Sequence, residues 1–236
     1  MSAHLRNSDH DDGNKGLARE MAEEQIVDAL EEDIVFGYLS PRERLTEDDL
    51  CERFSATRHM VRQALMALEK RSLIERRKNI GATVKAYSRE EVINLYVVRD
   101  ILEASGAQHI AFPVPEEDLQ ELVDVQGRHD EAVSTANMRA AFKANIAFHL
   151  TFFDLTGNAI LATLIEDFAC RAHVIRFLSM TNPSLLEAAR QDHWKIIRAL
   201  ENQNRDELIR ICRAHLLPAR DTYLAQCRYR GESGLR

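Results

Sequence analysis

The apolar positions of this 236-residue chain follow two rhythms that change near residue 88. Before it, short helical stretches give way to strand-like alternation; from Ser88 onward helical spacing runs to the C-terminus. In the first part, Ile26, Leu30, Ile34 and Val35 mark one face of a helix over 18–38, which Gly37 loosens and Ser40-Pro41 breaks. Leu45, Leu50 and Phe54 give a shorter apolar face, and Thr46 with Asp49 marks its helix start. Thr57 is the N-cap of a third helix whose Val61, Leu65 and Leu68 fall on one side. After Leu73-Ile74 and the basic run Arg76-Arg77-Lys78, a turn at 79–81 leads into Ala82-Thr83-Val84, two short strands joined as a wing.

That register puts Arg58 and Arg62 one turn apart on the solvent face of the third helix, near its N-terminus. There a recognition helix presents arginines to base edges. The alternative is an ordinary three-helix core with solvated arginines. Charge distribution favours the first reading: the chain carries a formal net charge of -7, yet 51–88 hold nine Lys or Arg against three Asp or Glu. One face is therefore suited to phosphate while the acidic excess lies elsewhere.

Ser88 to Glu91 forms a capping box, and six helices are predicted beyond it, over 89–111, 115–134, 138–156, 159–180, 183–202 and 205–228. The fold class is mainly α, an N-terminal winged helix-turn-helix over 18–87 followed by an all-α bundle over 88–230. Residues 1–17 and 231–236 read as tails. The linker near 86–88 is short, so movement of the bundle is expected to reach the winged helix. Cys51, Cys170, Cys212 and Cys227 have no C-x-x-C spacing and read as reduced cytosolic thiols. No apolar run approaches the roughly 18 residues of a membrane span, and no leader segment is evident, so a cytoplasmic protein without a membrane partner is expected.

The bundle carries its own chemistry. Asn145 and His149 share a helix face four residues apart, and His193 and His215 lie on later helices among apolar neighbours. Three imidazoles and an amide oxygen meeting in a bundle core would suit a divalent transition metal with open positions. The same spacing also fits histidines hydrogen-bonded in an ordinary core. His109 and His173 read as structural or exposed and Trp194 as packing. No Ser, Cys or Glu stands where an activated nucleophile or general base is needed, so no enzyme is expected.

Two resemblances sharpen these readings. The run 26–84 resembles the winged helix of the GntR superfamily of bacterial transcription regulators. Its matching residues include Leu30, Gly37, Pro41, Leu45, Glu47, Leu50, Phe54, Thr57-Arg58, Val61-Arg62, Ala64-Leu65 and Gly81-Ala82-Thr83-Val84. Met60 and Gln63 replace the family's Pro and Glu, so an operator sequence does not carry over. The resemblance implies that Arg44, Thr57, Arg58, His59 and Arg62 contact DNA, with Lys78, Asn79 and Gly81 of the wing turn entering the minor groove.

The region 88–228 resembles the FCD effector domain of the FadR subfamily, in its six-helix VanR-like form. The resemblance rests on Arg99-Asp100 with Glu103, Phe148-His149 followed by Thr156-Gly157-Asn158, Asp192-His193, and Ala214-His215-Leu216. It implies a zinc, nickel, iron or manganese ion held by an Asp and three His, which fall at Asn145, His149, His193 and His215. Asn145 departs from that pattern and removes one formal negative charge. Arg99 resembles the family arginine that points into the pocket, and Arg171 and Arg176 are further candidate clamps for a small carboxylate effector.

The expected protein is a homodimeric regulator of double-stranded operator DNA, most simply a nucleoid-bound repressor, controlled by a small organic acid. Two other readings carry distinct signatures. A metal-free sensor of an apolar or acyl ligand would lack the ion, and a metal-dependent hydrolase fused to a DNA module would turn over its ligand.

Overall fold

The computed structural model describes residues 23–77, 81–180 and 182–233, which divide into two units between Lys85 and Ala86. Sequence reasoning drew that boundary two residues later. Lys85 closes the first unit because its N–H donates to the Leu73 carbonyl, whereas the Tyr87 carbonyl accepts from the Tyr223 hydroxyl in the second.

In the first unit, helix α1 spans 23–35 and buries Ile26, Val27, Leu30, Ile34 and Val35. Its beginning, and the predicted tail 1–17, lie outside the described residues. It stops three residues short of the predicted end because Gly37 takes the left-handed conformation at φ +75°. Strand β1 (Arg44–Leu45) leads into α2 (Glu47–Phe54), where the Thr46 side chain accepts from the Asp49 N–H as an N-cap. Glu47, Asp48 and Asp49 in the first turn complement the positive end of its dipole. Helix α3 (Arg58–Lys70) is capped by Thr57 and buries Val61, Ala64, Leu65 and Leu68. Strands β2 (Ile74–Arg77) and β3 (Gly81–Val84) form the wing, and the antiparallel sheet has the order β1-β3-β2 with Arg44 opposite Thr83. Strand β1 was not predicted, since two residues are too few for alternation to register.

The second unit contains α4 (Arg89–His109), α5 (Glu116–Ser134), α6 (Met138–Asp154), α7 (Ala159–Arg171), α8 (His173–Met180), α9 (Pro183–Glu201) and α10 (Arg205–Ser233). Seven helices among the described residues replace the six predicted, because the helix expected over 159–180 breaks at Ala172. The Ala172 N–H turns to the Ala169 carbonyl, three residues back, and no Gly or Pro advertises the change. Helix α10 runs past the predicted end at 228 and into the segment read as a tail.

The core of this unit includes Leu122, Phe148, Phe152, Ile196, Ile197 and Leu208, all fully or almost fully buried. Each such side chain contributes roughly 1.5–3 kcal/mol by leaving water. Helix α4 approaches α6 and α7 closely at Gly106, where a Cβ would lie 2.8 Å from Phe153 Cδ1 and 2.9 Å from Ile165 Cδ1.

Candidate DNA interface and histidine site

The two predicted arginines of α3 stand in solvent, with side chains 62% exposed for Arg58 and 56% for Arg62. Each is held by an acid of α2. Arg58 Nη2 lies 2.7 Å from Asp48 Oδ1, and Arg62 Nε donates to both Glu47 carboxylate oxygens at 3.0 and 2.9 Å. Exposed pairs of this kind contribute about 0–1 kcal/mol, so phosphate or base acceptors can displace them at small cost. Thr57 is occupied as the N-cap, and His59 is exposed beside Arg58. Arg44 is exposed on β1, and its Nε lies 3.9 Å from where a Gly81 Cβ would stand, so arginine and wing glycine are neighbours. Gly81 has φ +92°, a conformation that favours glycine. Lys78 and Asn79 lie outside the described residues.

The bundle brings three of its predicted ligands together. His149 on α6, His193 on α9 and His215 on α10 have ring centroids 5.1 to 5.2 Å apart in every pair. Their donor atoms lie within 4.8 Å of one another. Three nitrogens at about 2.1 Å from one ion lie roughly 3.0–3.6 Å from one another, so the triad closes on a metal by drawing in about 1 Å or a little more. Asn145 is buried one turn before His149 on α6. His193 is fully buried, and Phe148 stacks on its ring at 3.9 Å.

The tautomer of His193 follows from its neighbour. Its Nδ1 lies 2.8 Å from Gln126 Oε1, which can only accept, so Nδ1 carries the proton and Nε2 keeps its lone pair. That Nε2, like His149 Nε2 and Asn145 Nδ2, is buried without a hydrogen-bond partner. A half-turn of the Asn145 amide would put its oxygen where the nitrogen now stands. Burial holds His149 and His193 well below the ordinary imidazole pKa, and the charge of neighbouring histidines adds to the effect. Both are therefore neutral donors, the form a metal requires. His215 Nδ1 faces Asp192 Oδ2 at 3.6 Å.

Two cavities flank the histidines, of about 160 and 50 Å³, and Arg176 lines both. The three candidate arginines differ in what they do there. Arg99 is buried and bound to Glu103 by Nε and Nη2 at 3.0 and 2.7 Å; burial opposes its charge, but Glu103 and Tyr96 together outweigh that and raise its pKa. Arg176 is also buried, forms no ion pair among the described residues, and has its pKa lowered by burial and then by Arg99. Arg171 lines neither cavity; its guanidinium lies over the Phe168 ring at 4.5 Å.

Sequence reasoning missed a polar group on α5. His129 is buried beside His193 at 5.1 Å, its Nδ1 has no hydrogen-bond partner, and burial lowers its pKa to about 4. Gln126 orients His193 and donates to Asp130, which also accepts from Trp194 Nε1. The available signal was that Gln126 and His129 share the apolar face of Leu122, Val125 and Ala132. His109 is exposed and bonded to the Ser105 carbonyl, whereas His173 is buried, edge-on to Phe142, and lines the larger cavity.

A winged helix followed by a separate helical domain with an interior histidine cluster points to the class: a DNA-binding transcription regulator with a helical second domain. Comparison with known proteins makes the assignment specific. The FCD domain matches residues 94–217, and the bacterial regulatory proteins of the gntR family match residues 22–84. The HTH-type transcriptional repressor RspR of Escherichia coli K12 is 25% identical over 82% of this chain and 85% of its own length. The Uxu operon regulator of Haemophilus influenzae is 26% identical over 81% and 78%. Among solved structures, E. coli McbR/YncC shares the fold with a TM-score of 0.72 at 21% identity, covering 88% of this chain and 98% of that one. The chain belongs to the GntR family of transcription regulators, with an FCD domain as its second unit, and is not an enzyme. No helix among the described residues is long and apolar enough to cross a membrane.

Proposed function

We propose that this protein is a homodimeric, cytoplasmic repressor whose operator affinity is set by a small organic acid bound at a metal-containing pocket of the FCD domain. The observation that carries the reading is the convergence of three imidazoles beside Arg176, a buried cation without an ion-pair partner among the described residues. Asn145, His149, His193 and His215 hold the ion, and Gln126 fixes His193 in the tautomer that leaves Nε2 available. A divalent ion held by these residues would supply Lewis acidity toward a carboxylate oxygen. Arg176 neutralises that carboxylate, while Arg99 is retained by Glu103 and shapes the wall.

The homodimer is supported by an unpartnered apolar stripe. Ile93, Val97 and Ile101 recur every fourth residue on α4 and are 39%, 54% and 61% exposed, and Ile160 on α7 is 76% exposed. A twofold pair supplies two recognition helices for successive half-sites. RspR is named as a repressor, and several relatives are named as operon regulators, which supports the same role here. Arg58 and Arg62 read bases, while Arg44 and the wing turn at Lys78, Asn79 and Gly81 approach the backbone and minor groove. Ligand controls affinity to the extent that it binds one arrangement of the dimer better than another.

The replacement of an acidic ligand by Asn145 favours one other reading, a metal-free pocket. The test is operator binding by full-length protein before and after chelation, with Arg58→Ala and Arg62→Ala alongside. Each variant should lose about 1–3 kcal/mol of discrimination between operator and random DNA at fixed salt while melting as wild type does. Unchanged discrimination would refute the groove assignment, and operator affinity indifferent to chelation with or without added acid would refute a metal-dependent effector site.

A further inference from the structure

We propose that the effector is a monocarboxylate of about six carbons with an unsubstituted apolar body, seated in the larger cavity with its carboxylate at Arg176. The inference rests on the reading of Arg176 as the carboxylate clamp. The cavity is walled by α4, α6, α7 and α8, and its three regions differ in chemistry. At the inner end stand Arg176, His149 and the Arg99–Glu103 pair, all buried or nearly so. Arg176 is the one cation there with no ion-pair partner among the described residues.

The middle is mainly apolar, lined by Ile146, Leu150, Phe153, Ala162 and Ile165, with Cys170 and His173 as the polar groups at its α7–α8 side. Hydroxyl groups placed against those five apolar side chains would lose water and find no partner on that wall, which weakens a polyhydroxylated acid relative to a hydrocarbon one. At the rim, Asp154, Thr163 and Glu166 are exposed, and the Thr163 hydroxyl already donates to the Ala159 carbonyl at 2.8 Å. Two carboxylates at the mouth repel a second carboxylate at the far end of the ligand. The volume of about 160 Å³ spans all three regions and is close to the ~150 Å³ of an apolar cavity known to accept benzene, which sets the whole ligand near six carbons.

The test is calorimetric titration of the full-length protein, as purified, with acetate, hexanoate, adipate and gluconate. The last three share a six-carbon chain and differ only in what it carries. Each buried methylene strengthens binding about fourfold, so hexanoate should bind on the order of 100-fold more tightly than acetate. Adipate and gluconate should each fall at least roughly tenfold behind hexanoate. Ala162→Phe, which fills the apolar section, should reduce hexanoate to the affinity of acetate and leave acetate unchanged. Arg176→Gln should remove binding of both.

Adipate or gluconate matching hexanoate, with binding still lost in Arg176→Gln, would overturn this inference and leave the clamp reading standing. Hexanoate binding Arg176→Gln as tightly as wild type would overturn both, as would no binding of any of the four acids. The ranking on wild-type protein decides the matter even where Ala162→Phe does not fold.

Discussion

At the scale of single residues, the site depends on groups kept in one charge state by burial. His149, His193 and His129 have folded pKa values below that of the free imidazole, the last near 4. Their neutral forms are stabilised in the fold, so the unfolded chain binds protons first as pH falls below about 6.5. Stability is therefore fully present above that value and is lost on acidification. Each such histidine costs about 1.4 kcal/mol per pH unit until its folded pKa is reached. The expected outcome is a melting temperature that drops between pH 7 and 5, with a shallower slope in His129→Gln; identical slopes would contradict the assignment. The Arg99–Glu103 pair is the opposite case, two charges that are tolerable only together. Glu103→Ala leaves a buried guanidinium uncompensated and should cost about 3–5 kcal/mol by denaturant titration, whereas an exposed pair such as Arg58–Asp48 should contribute no more than about 1 kcal/mol.

At the scale of elements, close packing explains features that propensity does not. Gly106 sits inside α4 where glycine is unfavourable, because Phe153 and Ile165 occupy the space of its missing side chain. Gly106→Val should destabilise the FCD domain by about 1–3 kcal/mol, measured as a lower unfolding midpoint; an unchanged midpoint would mean that the helices part freely. Elements with local signals were legible in the sequence. Thr46, Thr57 and Ser88 all act as the predicted N-caps, and the wing strands fall where the alternation placed them. The break at Ala172 was hidden because no Gly or Pro marks it, and β1 was hidden by its length. Of the site, the histidine triad could be anticipated from helix faces, but the division of labour among the arginines could not. Resemblance marks Arg99 as the pocket arginine, with Arg171 and Arg176 as equal further candidates, whereas their partners separate all three: a carboxylate, a phenyl ring and, for Arg176, no ion-pair partner among the described residues.

At the scale of the whole molecule, one chain joins an exposed arginine face on a winged helix to a buried histidine cluster in a helical domain, the two parts matched by the gntR and FCD families. The apolar stripe on α4 predicts self-association: Val97→Glu with Ile101→Glu should shift the protein to monomer in sedimentation and weaken operator binding, while an unaltered dimer would place the interface elsewhere. Everything proposed for regulation passes through the histidine site. The most direct measurement is the metal content per protomer of untagged protein, wild type beside His193→Ala. The account predicts about one equivalent in the wild type, lost in the variant, since removing one of three imidazoles leaves too few donors to hold the ion. No metal in either protein, even after incubation with zinc, nickel or manganese, would contradict it and leave His149, His193 and His215 as hydrogen-bonding groups of a metal-free pocket.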